Sequence, residues 1–294
     1  MKRRAFNTLR FVENRFSLLL SVYAVSFLLC FLLSVWLPGE GETLPLLLLA
    51  LPLVSLYFPL LFFLRSEEGR RAPFGLSRVN KAFFTETLLF AFAALCLGAG
   101  GILFYRYLSL PFVFYGSVTL PETFSLLFFI AFVPVTAFCE EMLVRGVLQT
   151  HFTTFGSWPA VLASALLSAA LCLSVTALPL YLLAGGLCAI VRDRTSSVLP
   201  ALLCAALWRF GAYLASASLF GAVLTARAPL LVSVLLLFVA ALLLLGAMLS
   251  RKGKKRHHVA ISKENGRTRW LILAWALCAL LLCFGAGILL PTMN

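Results

Sequence analysis

Residues 124–149 read FSLLFFIAFVPVTAFCEEMLVRGVLQ, and this stretch decides the fold. An apolar run from Phe124 to Cys139 meets two adjacent carboxylates, Glu140 and Glu141, and then Arg145. Residues four apart share a helix face, so Glu141 and Arg145 are placed to pair, while Glu140 points about 100° away. A carboxylate inside a membrane costs on the order of 3 kcal/mol on insertion scales, so such groups face a cavity or a partner. Two neighbouring carboxylates cost more, because like charges so close favour protonation of one of them. The other reading is that the helix has reached the cytoplasmic interface here and the stretch is a solvated acidic–basic turn. The spacing alone leaves both open.

The rest of the chain decides the solvent. Of its 294 residues, 62% are apolar and 12% charged, against roughly 45–50% and 25% in a soluble domain. A water-soluble core of this length could not hide so much apolar surface, so the missing solvent is lipid. The expected fold is therefore all-α: a polytopic transmembrane helical bundle. A spanning helix needs about 20 apolar residues. Candidates are Phe16–Leu37, Thr43–Leu64, Phe83–Tyr105, Phe124–Cys139, Trp158–Val175, Ala177–Val191, Val198–Leu224, Pro229–Leu249 and Trp270–Leu290. Eight or nine spans follow, and nine fit the charges. With a cytoplasmic N-terminus, the inside segments 1–15, 65–82, 140–157, 192–197 and 250–269 hold 21 of the 24 Lys and Arg residues, as the positive-inside rule requires. The apolar stretch after the basic start is too long for a signal peptide and lacks a small-residue cleavage site, so it is read as an uncleaved first helix.

The net charge of +13 sits in short blocks between apolar runs, which reads as topology determination and excludes a nucleic-acid partner. The loop 251–269, with Arg251, Lys252, Lys254, Lys255, Arg256, His257 and His258, is placed to meet anionic lipid headgroups. The eight cysteines all lie within or at the ends of apolar runs, without a CxxC pair. They read as buried free thiols rather than a disulfide framework.

The order Glu-Glu-x-x-x-Arg-Gly-x-Leu-Gln at the end of an apolar helix resembles the first motif of the CPBP intramembrane protease family, which includes CAAX prenyl endopeptidases and bacteriocin-processing proteins. Ser157–Leu173 resembles the family's second-motif helix. Pro179-Leu180-Tyr181 with Gly185-Gly186 resembles the next, and Arg194-Thr195-Ser196-Ser197-Val198-Leu199-Pro200 the turn into the last conserved helix. The resemblance divides the chain into a three-helix region at 1–123, a CPBP-like core at 124–224 and a helical pair at 225–294. It implies a protein of the cell inner or plasma membrane with CAAX-type endopeptidase chemistry, acting on a lipidated or membrane peptide.

By that resemblance Glu140 is the base that activates a water, and Glu141 with Arg145 the organising pair. Histidines on the two later helices would hold a metal, Zn²⁺, or polarise the substrate, and an asparagine would steady the oxyanion. A carboxylate beside a metal-bound water supplies nucleophile and proton acceptor together, and a side-chain amide offers a donor to the developing charge. The chain departs from the pattern at these positions. Ser168 stands where the second motif has phenylalanine, Cys172 and Cys204 stand for the two histidines, and Trp208 stands for the asparagine. The three histidines present, His151, His257 and His258, lie in expected cytoplasmic segments.

Three readings follow. Cys172 and Cys204 with Glu140 and Glu141 form a two-sulfur, two-oxygen zinc site and the protein is a working protease. Alternatively the chain keeps the fold without the activity, and Arg209, an arginine in an apolar helix that needs a counter-charge, pairs with Glu140 or Glu141 in place of a metal. The third reading is a transporter component in which Glu140, Glu141, Arg145 and Arg209 line a proton or anion path.

Overall fold

The computed structural model describes residues 83–249, apart from 111, 115–117, 121–124, 154–155, 173, 175 and 217–227. All of these lie in the second of the chain's two units, Phe74–Asn294. The expected spans Phe16–Leu37, Thr43–Leu64 and Trp270–Leu290, and the loop 251–269 with His257 and His258, fall outside the described residues.

The described fold is helical. Helix α1 is Phe84–Tyr107, and a two-residue antiparallel pairing of β1 (Val113–Phe114) with β2 (Val118–Thr119) follows it. The helix α2 runs over 126–152. Then come α3 (Ser157–Leu171), α4 (Leu178–Thr195), α5 (Val198–Ser216) and α6 (Ala228–Leu249). Among the described residues, four helices are long and apolar enough to cross a membrane: Phe84–Tyr107, Leu126–Leu148, Val198–Ser216 and Pro229–Leu249.

Burial is inverted relative to a protein in water. Glu140, Glu141, Arg145, Gln149, Ser168 and Arg209 are buried, while Leu127, Ile130, Phe138, Leu183, Leu235 and Phe238 are exposed. Such a surface is stable only against hydrocarbon, and such an interior only where the polar groups satisfy one another. This is an integral membrane protein.

Two boundaries differ from the sequence expectation in ways that matter for the site. The helix whose apolar span ends at Cys139 continues to Phe152, and of the two readings of the acidic pair the buried one holds: Glu140, Glu141 and Arg145 are inside the bundle rather than in a solvated turn. The helix expected at Trp158–Val175 ends at Leu171, because turn chemistry takes over. The Ser174 and Thr176 hydroxyls bond each other at 2.9 Å, and the Ser174 Oγ accepts the Ala177 amide at 3.3 Å, opening α4. Pro179 then sits in the first turn of α4, where its missing N–H costs nothing.

Helices α1 and α5 touch backbone to backbone. A Cβ added at Gly98 would lie 1.9 Å from the Trp208 carbonyl oxygen, and one at Gly211 would lie 2.3 Å from that of Leu95. Small residues at such crossings let membrane helices gain dispersion contact that lipid does not otherwise supply. The contact holds α5 at the segment that carries Arg209. A Gly98→Val protein is expected to lose at least the roughly 1–3 kcal/mol typical of overpacking, read as a lower unfolding midpoint in detergent. An unchanged midpoint would mean that this crossing is not tight.

Candidate functional site: a buried cluster of two carboxylates and two guanidiniums

The site is built on α2, which is not a regular α-helix. Leu126–Ile130, Thr136–Glu141 and Gln149–Phe152 are α-helical, whereas Ala131–Val135 and Met142–Leu148 are π-helical. The first π segment contains Pro134, which has no N–H for the ladder. Thr136 follows it, and its Oγ1 donates to the Ala131 carbonyl at 2.8 Å. The second begins just after the acidic pair. Such wider turns re-aim side chains, and they concentrate at functional sites. Here Arg145 Nη1 comes to 3.3 Å from Glu141 Oε1 and 3.9 Å from Glu140 Oε1. A regular helix would have directed Glu140 away from that arginine.

The second guanidinium arrives from α5. Arg209 Nη2 donates to Glu140 Oε2 in a direct ion pair, and its Nη1 donates to the Ala205 carbonyl at 3.2 Å. All four charged side chains are 4% exposed or less. The cluster sets two carboxyl groups against two guanidiniums, so each carboxyl faces a cation.

Arg145 does more than pair. Its Nη1 also donates to Ser168 Oγ on α3, and its Nη2 to the Gly185 carbonyl on α4 at 2.7 Å. One turn further along, Gln149 Nε2 donates to the Ala189 carbonyl at 2.9 Å. Two side chains four residues apart on α2 thus grip two carbonyls four residues apart on α4. A Cβ at Gly185 would lie 2.9 Å from the Ser168 Cβ and 3.3 Å from Arg145 Nη2. Gly185→Ala is therefore expected to cost about 1–3 kcal/mol through overpacking, as a fall in unfolding midpoint. A neutral result would show that α3 and α4 can part without disturbing Arg145.

The substituted motif positions separate. Cys204 is fully buried on α5, and its thiol lies within electrostatic reach of Glu141. Trp208 packs edge-on against Tyr181 at 5.1 Å between centroids, with the Arg209 guanidinium 5.0 Å above its ring. Cys172 lies beyond the end of α3, where its thiol donates to the Ser174 carbonyl at 3.2 Å and sits near Tyr105. Cys188, which stands at no motif position, is buried on α4.

This donor set does not fit a bound zinc ion. Among the described residues no three His, Cys, Asp or Glu side chains are gathered as metal ligands. Glu140 is taken by Arg209, and Cys172 is turned to a carbonyl. Glu141 Oε2 has no hydrogen-bond partner, but one oxygen beside a guanidinium is not a ligand set for a cation that seeks four. The two-sulfur, two-oxygen site expected from the motif positions is not assembled.

Sequence reasoning missed Ser168 and Gly185 as partners of Arg145. It also missed a partly buried pair, Arg194 Nη1 with Glu86 Oε1 at 2.6 Å, which ties α4 to α1 across 108 residues of sequence. No local signal links residues so far apart.

Residues 122–211 match the family described as type II CAAX prenyl endopeptidase, Rce1-like. The match supports placing the chain in the CPBP/CAAX protease family, on somewhat under a third of its length. No curated protein matches the chain, and no solved structure does.

Proposed function

We propose that this membrane protein uses a CAAX-protease-like bundle to bind, as a scaffold or receptor for a lipidated or membrane peptide, without hydrolysing it. The observation that carries this reading is the ion pair between Arg209 and Glu140. A general base must present a lone pair to the water that it activates. Glu140 is the residue that the family resemblance makes the base, and its Oε2 is committed to a guanidinium in a packed interior. The position of the oxyanion donor holds Trp208, whose ring is engaged with Tyr181 and Arg209. The N-terminus faces the cytoplasm in this reading, which the distribution of Lys and Arg supports.

The test is a cleavage assay with purified protein in lipid nanodiscs and a farnesylated peptide ending in the -a-a-X tripeptide. No tripeptide release above buffer is expected, with or without chelator. Release that disappears in Glu140→Gln would contradict the proposal.

A further inference from the structure

The family resemblance implies a metal, and the residues present do not suit one. From that disagreement we infer that Arg209 is a built-in cation that keeps divalent metal out of the cluster of Glu140, Glu141 and Arg145. Two carboxyl groups already face two guanidiniums in a site where no charged side chain is more than 4% exposed. A divalent ion entering there would add two uncompensated charges in a low-dielectric interior and would have to part Arg209 from Glu140. The guanidinium is held in place from three directions: Glu140 in front, the Ala205 carbonyl at 3.2 Å on its own helix, and the Trp208 ring at 5.0 Å. The Gly98 and Gly211 crossing fixes the backbone that carries it.

Without Arg209, Glu140 keeps only Arg145 nearby, at 3.9 Å, and Arg145 is already paired with Glu141. Two carboxyl groups are then left to one guanidinium, and carboxylate oxygen is a zinc and cobalt donor. Arg209 is therefore the group that a divalent ion would have to displace.

The experiment loads purified wild-type protein, Arg209→Met and Arg209→Gln with Zn²⁺ or Co²⁺, desalts them, and measures metal by mass spectrometry and cobalt by visible absorption. Wild type is expected to retain no metal, and its unfolding midpoint not to respond to zinc. The two variants are expected to retain about one equivalent, with a midpoint that rises with zinc as ligand linkage requires. Two results overturn the inference. One is wild-type protein that keeps about one equivalent of zinc and loses it in Glu140→Gln, since metal affinity would then coexist with Arg209. The other is folded Arg209 variants that stay metal-free. If neither variant folds, the wild-type measurement still decides. The inference is separable from the proposed function. Cleavage by metal-free wild type would end that reading and leave this one standing, and bound zinc without cleavage would do the reverse.

Discussion

Arg209→Ala is expected to lower the stability of the detergent-solubilised protein by about 3–5 kcal/mol, the range for breaking a buried ion pair by removing one partner. The loss comes from what remains. Glu140 is 3% exposed, and without Arg209 its nearest cation is Arg145 at 3.9 Å, which is already engaged with Glu141, Ser168 and Gly185. A buried carboxylate stripped of its partner keeps its desolvation cost and loses the compensating attraction. Arg209→Lys should recover only part of the loss, because an ammonium cannot reproduce the fork that reaches Glu140 and the Ala205 carbonyl together. Thermal unfolding followed by tryptophan fluorescence checks both variants. An Arg209→Ala midpoint within experimental scatter of wild type would mean that the pair contributes nothing.

Arg145→Ala is expected to cost at least as much, about 3–5 kcal/mol, for a different reason. Arg145 joins three helices: α2 through Glu140 and Glu141, α3 through Ser168, and α4 through Gly185. Its removal leaves Glu141 uncompensated, and it deprives a buried hydroxyl and a buried carbonyl of their donor. Arg145→Lys should be nearly as damaging, since an ammonium on a thinner stem cannot serve acceptors on three helices at once. Limited proteolysis should show earlier cutting in the turn 172–177 between α3 and α4. Wild-type digestion kinetics in Arg145→Lys would argue that point charge, rather than the planar fork, is what the site needs.

Much of this was legible from residues whose placement is costly. An apolar run ending in Glu140-Glu141-x-x-x-Arg145 identified the helix that carries the site, because buried charges need partners and spacing limits which partners are near. Arg209 stood out for the same reason, as an arginine within an apolar helix. The geometry between those residues was not legible. Whether Glu140 and Glu141 share an arginine depends on the π-helical turn at Met142–Leu148, and a hydropathy pattern with a period of 3.6 residues cannot report a turn of another period. Ser168 looked like a lost phenylalanine, whereas in three dimensions it is an acceptor for Arg145. Cys172 and Cys204 occupied equivalent motif positions, which suggested a pair of ligands. The end of α3 at Leu171 takes Cys172 into the turn, which leaves Cys204 buried on α5 without it. The Glu86–Arg194 pair escaped because long-range contacts leave no local trace.

The charged cluster also accounts for how α2 carries Glu140, Glu141 and Arg145 through a membrane-embedded bundle. Each carboxyl lies against a guanidinium, and Nη donors of Arg145 and Arg209 also reach Ser168, Gly185 and Ala205. The helix can therefore run on to Phe152 instead of ending where its charges begin.

The claim that Glu140 is held by Arg209 is tested most directly by a double-mutant cycle of Glu140→Gln, Arg209→Met and the two combined, with unfolding free energies measured in one detergent. The single variants are each expected to lose several kcal/mol, and the double variant to lose less than either. The coupling should exceed about 2 kcal/mol, within the range for residues in one buried network. Losses that add within about 0.5 kcal/mol, as they do for independent sites, would contradict the pairing.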